Sequence, residues 1–98
     1  MERTLAKDAV NKIGQTITLK GWVNTKRDHS KIIFIDLRDR SGVVQVVFWG
    51  ETVESAKSLG PEDSIKIEGL VKERSAQNIN PDIETGTIDI RIYIWSVS

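Results

Sequence analysis

The chain has 98 residues, 39% hydrophobic and 29% charged, with fourteen basic and fourteen acidic side chains and no cysteine. That length supports one hydrophobic core, so residues 1–98 read as a single domain, and the balanced charge excludes a general polyanion coat held by net attraction. No apolar run is long enough to span a membrane, Met1 to Thr4 lack the order of a secretory signal, and there is no disulfide framework, so the expectation is a cytoplasmic domain.

Between Thr4 and Ile13, the residues Leu5, Ala9, Val10 and Ile13 recur at helical spacing before Gly14. This predicts a short amphipathic helix within residues 1–14 that caps a barrel formed by residues 15–98. From Thr16 the period becomes two: Ile17, Leu19, Gly21 and Val23 share one face, and Thr18, Lys20, Trp22, Asn24 and Lys26 share the other. The tripeptide Asp28-His29-Ser30 connects this strand to a second, Lys31 to Arg38, with Ile33, Ile35 and Leu37 facing inward and Ile32, Phe34, Asp36 and Arg38 outward. Arg40-Ser41-Gly42 reads as a tight turn into a third strand, Val43 to Trp49, whose β-branched and aromatic run is interrupted by Gln45.

Glu51 to Leu59 loses the alternation and gains helix formers, and Gly60-Pro61 ends it. Two more strands follow. Ser64 to Arg74 turns Ile65, Ile67, Gly69 and Val71 inward, and Thr87 to Trp95 does the same with Ile88, Ile90, Ile92 and Ile94, which leaves Asp89, Arg91, Tyr93 and Trp95 outward. Tyr93 and Trp95 are expected against the N-terminal helix or a neighbouring domain. A polar loop, Ser75 to Gly86, separates these strands. Three strands, a helix and two strands, with glycines in mid-strand where a small barrel bends sharply, define an all-β fold with short helices: the five-stranded Greek-key OB barrel, with an N-terminal helix and a helix between strands three and four. The alternatives are another small barrel or a β-sandwich, and a sandwich would ask for about seven short strands.

Several outward residues are candidates for binding. Phe34 is either a stacking platform for an unpaired base or part of a small apolar cluster with Ile32 and Trp22. Gln45 carries both donor and acceptor and so is able to read a base edge, or it is simply polar on a two-faced strand. Asp89 either accepts from a base or pairs with Arg91 or a lysine across the sheet. Lys26, Arg27, Lys31, Arg38, Lys72 and Arg74 gather at strand ends, and Glu51, Glu54, Glu62 and Asp63 around the internal helix, so the neutral total conceals a basic and an acidic side. Asp36 and Asp39 flank arginines and read as structural ion pairs. One histidine and no cysteine leave no metal cluster, nucleophile–base pair or phosphate loop, so no catalytic residue is expected.

The runs Gly21-Trp22-Val23-Asn24, Arg27-Asp28-His29, Ile33 to Arg40 and Gly42 to Phe48, followed by Gly69, Arg74, Asn78-Ile79-Asn80, Thr85-Gly86 and Ile88-Asp89, resemble the N-terminal anticodon-binding domain of bacterial-type aspartyl-tRNA synthetases. The resemblance implies an RNA-binding set of Arg27, Phe34, Gln45, Arg74, Asn78 and Asp89. In it Phe34 stacks on the middle anticodon base, Gln45 reads that uracil, Arg27 meets the loop backbone, and Arg74 and Asn78 add polar contacts. Asp89 stands where the family usually has a longer glutamate reading the first base, and Thr87 where an acid is common. His29, with Lys26 and Lys31 as further specificity or phosphate contacts, falls at a position connected with discrimination between aspartate and asparagine tRNAs. By the same resemblance the partner is tRNA of the aspartate or asparagine type. The domain itself needs no cofactor, because ATP and magnesium belong to a catalytic domain C-terminal to it, and the barrel alone is expected to be monomeric. The alternatives are a sequence-tolerant single-strand binder and a barrel scaffold that meets proteins.

Overall fold

The computed structural model describes residues 4–29 and 31–97. Strands β1 (Thr16–His29), β2 (Ile32–Asp39), β3 (Gly42–Trp49), β4 (Ser64–Glu73) and β5 (Ile88–Val97) form a closed barrel in the order β1-β2-β3-β5-β4. All neighbouring pairs are antiparallel except β3 and β5, which meet in parallel at Val46 with Ile90 and Val47 with Arg91. Helix α1 (Thr52–Ala56) lies between β3 and β4. Closure leaves no edge strand open to pairing, which an isolated meander would expose.

The alternation in the sequence builds the core. Ile33, Ile35 and Leu37 from β2, Ile65 and Ile67 from β4, and Ile88, Ile90 and Ile92 from β5 are all buried in one cluster with Phe48 and the aliphatic residues of β1. Each such side chain removed from water contributes about 1.5–3 kcal/mol. The mid-strand glycines of β1 and β4 mark close backbone approaches. A Cβ on Gly69 would stand 2.5 Å from the Arg91 carbonyl oxygen, and one on Gly21 would collide with that of Arg38.

The N-terminal helix differs from its expectation in type and in face. It is a 3-10 helix over Ala6–Asn11, and its three-residue turn puts Ala6 and Ala9 together against the barrel, with Val10 packed beside them, while Ile13 stays 47% exposed. Asp39 pins it. The Asp39 carboxylate accepts from the Ala6 N–H at 2.8 Å and from the Ser41 N–H and hydroxyl at 2.8 and 2.6 Å. Asp39 is therefore a backbone anchor for the helix and the β2–β3 turn, and among the described residues it forms no ion pair with the arginines beside it. Burial pushes its carboxyl up, but the Ser41 hydroxyl and the backbone N–H groups of Ala6, Ser41 and Gly42 outweigh that and hold it below the ordinary range.

Two β-bulges overturn the strict alternation. In β1, Val23 pairs with Leu37 and Thr25 with Asp36, so Asn24 is an extra residue and the outward parity passes from even to odd positions. Lys26 consequently leaves the outer face. Its Nζ donates to the carbonyls of Lys57 and Leu59 at 2.7 and 2.9 Å, next to α1. Asp28 and His29 belong to β1 rather than to a connection, and Ser30 lies outside the described residues.

In β5, Ile92 pairs with Gly69 and Ile94 with Glu68, so Tyr93 is the extra residue. Ile94 then turns outward, 60% exposed, and Trp95 packs against the core with its ring edge-on to Phe48 at 5.9 Å. The expectation of Ile94 inside and Trp95 outside is thus reversed. Trp95 meets α1 rather than the N-terminal helix, its Nε1 donating to Ser55 Oγ at 3.0 Å, and Tyr93 is 54% exposed.

Candidate nucleic-acid interface

On the outer face of the barrel a cleft of about 510 Å³ is lined from all five strands and from the segment after β4. Arg27 and His29 come from β1, Phe34 from β2, Gln45 from β3, Lys72 and Glu73 from β4, and Asp89 and Arg91 from β5, with Arg74, Ser75 and Asn78 following β4. All six residues of the RNA-binding set therefore stand around one cavity, although they are separated by up to 62 positions (27 to 89) in the chain. His29 joins them. Lys26 and Lys31 do not line the cleft: Lys26 is committed to the carbonyls beside α1, and Lys31 is exposed at the hairpin end. Arg38 also faces elsewhere, its Nε donating to Asn24 Oδ1 at 3.2 Å.

Phe34 is half-buried and pairs across β2 and β1 with Arg27. The His29 ring stands edge-on to it at 5.4 Å, an aromatic contact within the cleft lining. The cluster imagined for it with Ile32 and Trp22 does not correspond to the strand pairing. Ile32 is opposite Trp49 at one end of the sheet, and Trp22 is opposite Arg38 at the other.

The β1 bulge brings Thr25 and Arg27 to the face that carries Asp36. Arg27 engages Asp36 through both guanidinium nitrogens, at 3.1 and 3.2 Å, and donates to Gln45 Oε1 at 3.0 Å. Thr25 Oγ1 donates to Asp36 Oδ2 at 2.5 Å. Burial pushes the Asp36 carboxyl up, yet the Arg27 and Thr25 hydrogen bonds and the Arg27 and Arg74 charges prevail and leave it below the ordinary carboxylate range. The hydrogen bond to Asp36 raises the Arg27 guanidinium in turn.

Arg74 is held by the backbone. Its Nε donates to the Ile88 carbonyl at 2.8 Å and its NH1 to the Asn78 carbonyl at 3.2 Å, so the guanidinium is braced while donors remain for the cleft. Asn78 sits in a short 3-10 turn, Ala76–Asn78, and donates to Ser75 Oγ at 2.9 Å. Asp89 forms no ion pair with Arg91 or with a lysine among the described residues. Burial pushes its carboxyl up, opposed by the charges of Arg91, Arg74 and Lys72. A carboxylate in that position gains from any ligand donor that replaces the water it has lost.

Lys72 and Arg91 are part of this cleft and were absent from the six-residue RNA-binding set, Lys72 having been read only as one of the basic side chains at strand ends. The signal for Arg91 was present, since it alternates with Asp89 on the outward face of β5 before the bulge. Among the described residues no group of His, Cys, Asp and Glu has the arrangement of a metal site, and no helix is long and apolar enough to cross a membrane.

A closed five-stranded barrel with an aromatic, a side-chain amide and several arginines around one open cleft is the construction of an oligonucleotide-binding OB domain. Comparison with known proteins places it further: residues 17–97 match the tRNA anti-codon family, described as an OB-fold nucleic acid binding domain, and the chain belongs to that family. It is 51% identical over 89 residues to an aspartate–tRNA(Asp/Asn) ligase of Halothermothrix orenii, covering 87% of this chain and 15% of that protein. An aspartate–tRNA ligase of Staphylococcus carnosus is 44% identical over 84 residues, with 82% of this chain and 14% of that protein covered. Among solved structures, asparaginyl-tRNA synthetase from Pyrococcus horikoshii, complexed with asparaginyl-adenylate, superposes with a TM-score of 0.79 at 30% identity, over 99% of this chain and 22% of that one. The chain thus spans about one seventh of the length of these curated relatives.

Proposed function

We propose that this domain reads the anticodon of an aspartate-type tRNA as the binding module of an aspartyl-tRNA synthetase, with asparagine tRNA as a second partner. The observation that carries the reading is the convergence of Arg27, Phe34, Gln45, Arg74, Asn78 and Asp89 on one cleft. In this mechanism the loop bases are splayed from their stack, the middle base lies on Phe34, and Gln45 meets its pairing edge. Asp89 accepts from the amino or imino donors of the first base, which offsets the burial of its carboxyl. Arg74, braced by backbone carbonyls, and Arg91 and Lys72 beside it supply positive charge for the phosphates.

In this reading amino-acid activation, with ATP and magnesium, belongs to the part of the relatives that this chain does not span, the module works in the cytoplasm, and the isolated barrel is monomeric. The test is a salt-titrated binding assay with an anticodon stem-loop carrying GUC and with one whose middle uracil is cytosine. Phe34→Ala is expected to weaken binding of both by about 1–3 kcal/mol, the value of one base stacked on an aromatic ring. Equal affinity for unrelated loops, with a salt slope that accounts for nearly all binding, would instead describe a sequence-tolerant single-strand binder.

A further inference from the structure

The Gln45 amide has two ends, and which end faces the ligand decides what base it accepts. A guanidinium has only donors, so the Gln45 atom at 3.0 Å from Arg27 NH2 is the carbonyl oxygen. The amide NH2 is therefore the end left for the cleft. Arg27 is itself restrained, because both of its terminal nitrogens donate to Asp36, and Thr25 donates to the same Asp36 Oδ2 that accepts from Arg27 NH1. Flipping Gln45 would set its NH2 against the guanidinium, exchanging a hydrogen bond for a donor–donor contact.

We infer that Asp36 is a positioning residue that acts through Arg27 to lock the Gln45 carboxamide donor-outward, so that the cleft accepts a base presenting a carbonyl oxygen and rejects one presenting an amino group. This rests on the anticodon reading above and deepens it, since uracil and cytosine differ at position 4 by a carbonyl oxygen against an amino group, and it is position 4, not the neighbouring ring nitrogen or the carbonyl that both bases share at position 2, that the Gln45 NH2 must meet. Asp36 is not placed among the cleft-lining residues, so its effect on base choice is indirect. Selectivity is then a property of a four-residue chain, Thr25 to Asp36 to Arg27 to Gln45, of which Arg27 and Gln45 line the cleft and Thr25 and Asp36 act behind them. The β1 bulge is what makes the chain possible, because it aligns Thr25 with Asp36 and Arg27 with Phe34.

The experiment compares the 98-residue protein with its Asp36→Asn and Thr25→Val variants, using stem-loops with uracil or cytosine in the middle position. Removing the carboxylate raises the net charge by one and strengthens binding to any RNA, so the readout is the ratio of the two affinities and not either one. The wild type is expected to prefer uracil by about tenfold or more, as one well-placed base contact provides. Asp36→Asn is expected to bring that ratio close to one, and Thr25→Val to lower it by a smaller factor. A side-chain NMR measurement on the unbound proteins supplies the second readout: the Gln45 NH2 resonances should report an ordered amide in the wild type and an averaged one in Asp36→Asn. A wild-type preference that survives unchanged in Asp36→Asn, or an amide equally ordered in both, overturns the inference and leaves the anticodon reading standing. A wild type without uracil preference overturns the anticodon reading itself, and the inference falls with it.

Discussion

The two bulges of the barrel insert one residue each and serve opposite sides of the sheet. At Asn24 the extra residue turns Thr25 and Arg27 outward, where Asp36 and Gln45 receive them and a cleft wall forms. At Tyr93 the extra residue turns Trp95 inward, onto Phe48 and α1, and leaves Ile94 in solvent. The first bulge trades a lysine for an arginine on the cleft face, and the second trades an isoleucine for a tryptophan in the core. A bulge is thus a parity switch whose value depends on which side gains, and in this molecule one switch shapes the cleft and the other the core.

The largest expected effect falls on the stability side. Trp95→Ala removes a ring packed against the core and should cost about 3 kcal/mol, toward the lower end for a buried tryptophan because part of the ring is exposed. Urea denaturation would read it as a lower midpoint with an unchanged slope. A loss under about 1 kcal/mol would show that the second bulge does not seat Trp95 as a core residue.

A crossed pair of variants on the first bulge sharpens the comparison. Lys26→Ala gives up two charge-assisted hydrogen bonds to the carbonyls of Lys57 and Leu59 and should cost about 1–2 kcal/mol of stability while sparing the uracil preference. Arg27→Ala, one position on, should do the reverse. It loses an ion pair worth up to about 1 kcal/mol, since the two side chains are 44% and 21% exposed, but it releases Gln45 and removes the preference. If the two neighbours behave alike in denaturation and in loop binding, the bulge does not separate their roles.

The smallest effect is expected at Ile94. Ile94→Lys should change stability by less than about 0.5 kcal/mol, because the side chain is already 60% exposed. A large loss there would mean that Ile94 is inside, as unbroken alternation requires.

Much of the fold is local in origin and was legible. The isoleucines of β2, β4 and β5 alternate with polar residues over runs long enough to announce strands, Gly21 and Gly69 mark the bends, and the break at Glu51 to Leu59 announces α1. The candidate site was legible in part. The resemblance named Arg27, Phe34, Gln45, Arg74, Asn78 and Asp89, while the outward pattern alone supports Phe34, Gln45 and Asp89; Arg91 was visible in the same alternation but read as a partner for Asp89. Lys26 was misplaced because it follows a bulge.

What the sequence by itself determined is the set of strands, the apolar face of each up to its bulge, and the residue types capable of binding an unpaired base. Those follow from a two-residue period that each strand carries within itself. Only the tertiary structure decided where the period breaks, that Asp39 anchors the N-terminal helix, and that Arg27 meets Asp36 and Gln45 in one chain of hydrogen bonds. A bulge answers to the neighbouring strand and an amide's orientation to its hydrogen-bond partner, and both partners lie far away in sequence, where no local pattern records them.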